Sequence, residues 1–144
     1  LRVHEVANNE KLRTKLLSTI SKVSPNLIFT HWYGDVHHDH RAVSEATLSV
    51  ARHTNSLLMY ASNIYKSDPP FIPTIFSDIS ESMKAKQSAF KEYRSEYERI
   101  GYKWIREIEY QNMVYGASIG RDCAAEGFVP VKYCLNAADT NDQT

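Results

Sequence analysis

Residues 25–43 read PNLIFTHWYGDVHHDHRAV, and the fold is decided there. Pro25 has no amide proton and pushes Ser24 out of helical geometry, so a preceding helix must end at this point. Leu27, Ile28, Phe29 and Thr30 then form a short, continuous apolar run of strand formers, the pattern of a strand buried on both faces in a parallel sheet. After the loop His31-Trp32-Tyr33-Gly34, the residues Ala42, Val43, Ala46, Val50 and Ala51 predict a helix from about His38 to His53. Upstream, Asn8 and Asn9 precede Leu12, Leu16, Leu17, Ile20 and Val23, whose three- and four-residue spacing predicts a first helix. Helix, buried strand, loop and helix in this order predict an open α/β sheet.

Further along, Leu57 to Ala61 reads as a second strand and Phe71 to Ser77, after the Asp68-Pro69-Pro70 break, as a third. Asp78-Ile79-Ser80-Glu81 has the form of a capping box, and the helix it opens carries Met83, Phe90, Tyr93 and Tyr97 on one face, read as core. Gly101 interrupts it. Trp104, Ile105, Ile108 and Tyr115 predict another helix to about Ile119, and Ala125 to Cys134 a last strand. The polar residues 137–144 read as a frayed tail. The expected architecture is a single α/β domain over 1–144, an open, mainly parallel sheet flanked by helices, with no visible internal boundary.

Composition excludes several classes. Over 144 residues, Lys+Arg and Asp+Glu both number 17, so the formal net charge is +0. That balance argues against a nucleic-acid groove or an anionic membrane surface, which need clustered basic excess. With 42% hydrophobic and 24% charged residues and a mean hydropathy of −0.45, the composition is that of a soluble globular protein. Cys123 and Cys134 fit neither a CxxC pair nor a zinc ribbon and read as free thiols in a reducing, cytoplasmic compartment. The chain opens at Leu1 rather than Met, in what reads as a loop, so it is expected to be a piece of something longer.

His37, His38, Asp39 and His40, preceded by Asp35, hold half of the chain's six histidines in four positions. His37 and His40 are three apart and share a helix face if the helix has begun. Their loop leaves the carboxyl end of a strand, where open α/β sheets bind ligands. Neutral imidazole is the commonest zinc ligand, and a catalytic zinc needs three protein ligands plus an open position. A second histidine held by a carboxylate suits proton transfer or oxyanion stabilisation. Against this stands a solvated histidine-rich loop whose Asp39 only caps the helix; the density of the cluster favours a site. His31, Asp35 and His38 are the local candidates for extra ligands, since no second cluster appears elsewhere. Trp32 and Tyr33 border the cluster and are read either as contacts for a sugar ring or as a cover for the sheet end. Arg94 and Glu126 are read as groups supporting the site or as members of a buried ion pair.

The stretch 25–43 resembles the second signature, HPDHRAV, of the PIG-L/LmbE-like N-acetylglucosaminyl deacetylases. Lys86, Ala89, Tyr93 and Ser95 are similar to that family's K-x-x-A-x-x-x-Y-x-S-Q segment, with Glu96 in place of its Gln, and Ala125-Glu126-Gly127-Phe128 resembles its AE-x-F. The resemblance implies a Rossmann-like domain that hydrolyses an acetamide, usually on an amino sugar, with zinc or another divalent cation as cofactor. It implies His40 as a metal ligand, His37 as the group that stabilises the tetrahedral intermediate or protonates the leaving amine, and Asp39 as the residue orienting His37. The family's first motif, AHPDDE, does not occur here, and His38 stands where that family has Pro. The expected partners are therefore an N-acetylated sugar or glycoconjugate and a missing N-terminal half of the same fold, with a second copy of the chain left open. Alone, the chain is expected to be inactive. The alternative is a non-catalytic metal- or sugar-binding fragment, or an assembly module of the same fold.

Overall fold

Asn9 accepts the amide of Leu12 on its side chain and so caps α1 (Glu10–Val23). Leu12, Leu16 and Ile20 are half-buried while Leu17 and Val23 stay exposed, so the apolar stripe is narrower than its spacing suggested. Ser24 ends the helix in the left-handed conformation at φ 48°, immediately before Pro25. The structure is a computed structural model that describes residues 6–135; the tail expected at 137–144 lies outside the described residues.

From Pro25 onward the elements are β1 (Leu27–His31), α2 (His38–Val50), a 3-10 turn at Ala51–His53 and β2 (Ser56–Tyr60). They continue with β3 (Ile75–Asp78), α3 (Met83–Glu92), α4 (Arg94–Ile100), α5 (Tyr102–Ser118) and β4 (Ala125–Lys132). The described residues cluster into two compact units. One contains residues up to Ser62, Lys66–Ile72 and those from Val129; the other contains Asn63–Tyr65 and Pro73–Phe128. The chain passes between them several times, once inside β4, so no linker composition marks the division in sequence.

In the first unit β1 and β2 pair in parallel from Leu27 opposite Ser56 to His31 opposite Tyr60, and the second half of β4 joins β2 antiparallel. β2 is the buried strand, with Ser56 to Met59 all inside, while Leu27 and Phe29 of β1 are exposed. The strand expected to be buried on both faces is thus buried only at Thr30; Leu27 and Phe29, two apart and so on one face, are both exposed. Ala42, Ala46, Ala51, Leu57, Leu58 and Met59 form the apolar interior of this unit.

In the second unit β3 pairs antiparallel with the first half of β4, from Ile75 opposite Phe128 to Asp78 opposite Ala125. The fold class is α/β as expected: among the described residues β1 and β2 pair in parallel, and each half of β4 pairs antiparallel within its own unit. β3 starts at Ile75 rather than Phe71. Asp78 ends it and accepts the amide of Ser80, opening a 3-10 turn at Ser80–Ser82 ahead of α3 instead of capping a long helix. The single helix expected across Tyr93 is broken there at ψ 63°, which turns Tyr93 out to solvent and removes it from the core stripe. Gly101, at φ 75°, makes the second break where sequence placed it. Phe90 packs edge-on against Trp104 at 5.0 Å, and Ile105, Ile108 and Phe128 are buried.

Candidate functional site

The loop between β1 and α2 is held by its own side chains. Asp35 is buried, and its Oδ1 accepts the amide of His37 at 2.8 Å, satisfying one donor at the start of α2. Arg41, one turn into the helix, donates from Nη1 to the carbonyls of Asp35 at 2.7 Å and Val36 at 3.0 Å. Trp32 is buried, its Nε1 donates to the Pro69 carbonyl at 3.0 Å, and its ring meets Phe71 edge-on. Tyr33, tilted against Trp32, is the exposed member of that pair. Gly34 passes so close to Trp32 Nε1 and the Pro69 carbonyl that an added Cβ would lie 2.7 and 2.8 Å from them.

Three imidazoles are brought together by this loop. His40 lies between His31, parallel to it at 4.1 Å and 1°, and His37 at 4.6 Å and 26°. His37 caps α2: its Nδ1 accepts the amide of Asp39 at 3.2 Å, so in the neutral ring the proton sits on Nε2. Asp39 accepts the amide of Val6 on Oδ1 at 3.2 Å. The Asp39 backbone amide thus bonds the His37 ring directly. His38, second in the run, is exposed. His31 Nδ1 lies 2.5 Å from Ser62 Oγ, and its ring touches Tyr60 at 5.0 Å. Burial foremost, then the neighbouring His40 ring, lowers the His31 pKa to about 4, with Asp35 opposing.

His40 Nδ1 is 3.2 Å from Asp35 Oδ2 but is not aligned with it as a hydrogen bond, and this nitrogen is buried without a bonded partner. A ring nitrogen in that condition fits a metal ligand, because coordination would satisfy it. The set is not complete locally: among the described residues no group of three or more His, Cys, Asp and Glu stands close enough to hold an ion.

The sequence reading brought out His37, Asp39 and His40 and offered His31, Asp35 and His38 as extra ligands. The structure sets His31 and Asp35 against His40 and leaves His38 outside. Ser62 was missed, since a lone serine after a strand carries no pattern. In the second unit, Lys86 and Glu126, each read from a separate motif, meet at 2.5 Å, and Lys86 also donates to Asn112 at 3.0 Å. Arg94 is exposed.

A family model described as GlcNAc-PI de-N-acetylase, PIG-L, matches residues 2–51. No curated protein matches the chain. Among solved structures, a conserved protein from Thermus thermophilus superposes with a TM-score of 0.77 at 23% identity, over 93% of this chain and 64% of that one. The N,N′-diacetylchitobiose deacetylase of Pyrococcus horikoshii gives 0.70 at 19%, over 91% and 55%. A 4-carboxy-2-hydroxymuconate hydratase from Pseudomonas putida gives 0.66 at 14%, over 92% and 63%. The chain spans about three-fifths of the length of these structures. At these identities the likeness shows the fold, and a hydratase shares it. By the family match over 2–51, and by a fold it shares with a solved deacetylase, the chain resembles the PIG-L de-N-acetylases.

Proposed function

We propose that this chain carries one half of the active site of a metal-dependent N-deacetylase acting on an N-acetylated amino sugar or similar amide. One observation carries the reading: the rings of His37 and His40 face each other at 4.6 Å, in a loop leaving the carboxyl end of a parallel strand. His40 is the ligand to zinc or another divalent cation, through the ring whose Nδ1 lacks a bonded partner. When bound, such a cation supplies Lewis acidity toward the amide carbonyl and toward water.

His37 presents an Nε2–H to the reacting group because Nδ1 is already occupied by the Asp39 amide. A donor fixed in this way suits the oxygen that gains charge as the amide carbon becomes tetrahedral, and then the departing amine. Asp39 is the orienting partner of His37. Tyr33, exposed beside the loop, is the substrate-contacting aromatic, with Trp32 behind it as a rigid support. The remaining ligands and the general base come from a segment of AHPDDE type in the missing half, and the two free thiols suit a reducing compartment.

Acetate release from an N-acetylglucosamine conjugate, measured beside zinc content, tests this. In the protein carrying both halves, His40→Ala should remove zinc and activity together. His37→Ala should lower kcat about 10²–10³-fold with zinc retained. Full deacetylation by the purified 144-residue chain alone, or His40→Ala with unchanged zinc and turnover, would overturn it.

A further inference from the structure

A metal-binding imidazole must hold its ring plane, yet the terminal torsion of histidine is broad. The usual solution is a hydrogen bond from the second ring nitrogen to a carboxylate. Asp35 stands beside Nδ1, the nitrogen assigned to the metal, so it does not hold the second ring nitrogen in this way. The plane of His40 is fixed by the rings on its two faces. One of them, His37, belongs to the reacting amide. The other, His31, is the flatter contact, parallel within 1° at 4.1 Å, and has no role in the reading above.

His31 is also rooted. It is the last residue of β1, in register with Tyr60 of β2, and its ring rests on Tyr60. Its Nδ1 is tied to Ser62 Oγ, two residues past the end of β2. The parallel ladder thus sets His31, and His31 sets His40.

We propose that His31, anchored by Ser62, is the positioning residue that fixes the ring plane of His40 for metal binding. This rests on His40 being a ligand. The measurement is zinc affinity of the full-length protein by chelator competition, alongside the side-chain NMR signals of His40 and far-UV circular dichroism. His31→Ala should weaken zinc binding about 10–100-fold and shift the His40 ring signals as the stacked ring is lost. His31→Phe, which restores a flat ring, should recover most of both. Ser62→Ala should weaken zinc binding in the same direction but less. The inference is overturned if His31→Ala folds normally and leaves the His40 signals and zinc affinity unchanged, or if Phe recovers nothing over Ala. A His40→Ala variant that binds zinc as the parent does sinks the ligand reading instead, whatever His31 shows.

Discussion

Removing the amide of Asn112 should loosen the second unit more than any other single polar change there. Asn112 is 2% exposed on α5. Its Nδ2 donates to the Ala125 carbonyl at 2.8 Å and its Oδ1 accepts from Lys86 Nζ at 3.0 Å, while Lys86 also holds Glu126. Asn112→Ala leaves the first carbonyl of β4 without its donor, at about 1–3 kcal/mol, and deletes a hydrogen bond to a charged group, at about 1.5–3 kcal/mol. Lys86 retains Glu126, so the second loss is only partial, and the total should be about 2–4 kcal/mol. Equilibrium urea unfolding followed by circular dichroism reads this as a fall in midpoint with an unchanged slope. A cycle with Lys86→Met should show coupling of about 0.5–3 kcal/mol, since the two side chains touch. A loss below about 1 kcal/mol for Asn112→Ala, or zero coupling to Lys86, refutes the claim that this triad ties α3, α5 and β4 together.

Gly34→Ala should cost about 1–3 kcal/mol by overpacking and raise the emission intensity or wavelength of Trp32, because the new Cβ would sit 2.7 Å from an indole nitrogen already bonded to Pro69; a Trp104→Phe background isolates the signal, and an unchanged spectrum and stability would count against this close approach of Gly34 to Trp32 and Pro69. For His31, the folded pKa of about 4 lies below its ordinary 6.5, so the fold favours the neutral ring. The stability this contributes is complete above about 6.5 and is lost as pH falls toward 4. NMR titration of the His31 ring should give a midpoint near 4, and one near 6.5 would refute the burial argument.

The segment from Glu10 to Val50 was legible because each of its signals is local. Asn9 caps, Ser24-Pro25 stops, a run of strand formers extends, and the helical alanines of α2 recur at their own period. What was not legible depended on partners distant in sequence. The exposure of Leu27 and Phe29 turns on what covers the face of β1 that they share, not on their hydrophobicity. The break at Tyr93 carries no Gly or Pro, and the apolar period runs through it from Phe90 to Tyr97, so periodicity alone reads one helix where there are two. Ser62 became part of the site only because β2 pairs with β1 in a register that ends at His31.

The same distinction between local and distant partners explains why the site can be read from so short a stretch. Asp35 binds the amide of His37, the Asp39 amide binds the ring of His37, and Arg41 gathers the carbonyls of Asp35 and Val36. These contacts close within seven residues, 35–41, so the loop builds its own frame and the relation of His37 to His40 is preorganised. A frame of this kind fixes orientation. It does not create ligands: on the proposed reading the ring nitrogen of His40 that lacks a bonded partner is one donor, and a zinc-type site needs at least three from protein. A fold shared by deacetylases and a hydratase cannot choose the reaction, so on the proposed reading the choice falls to the residues that complete this donor set. Supplying those residues should therefore change His40 first, through its open nitrogen, and should leave the 35–41 frame where it already stands.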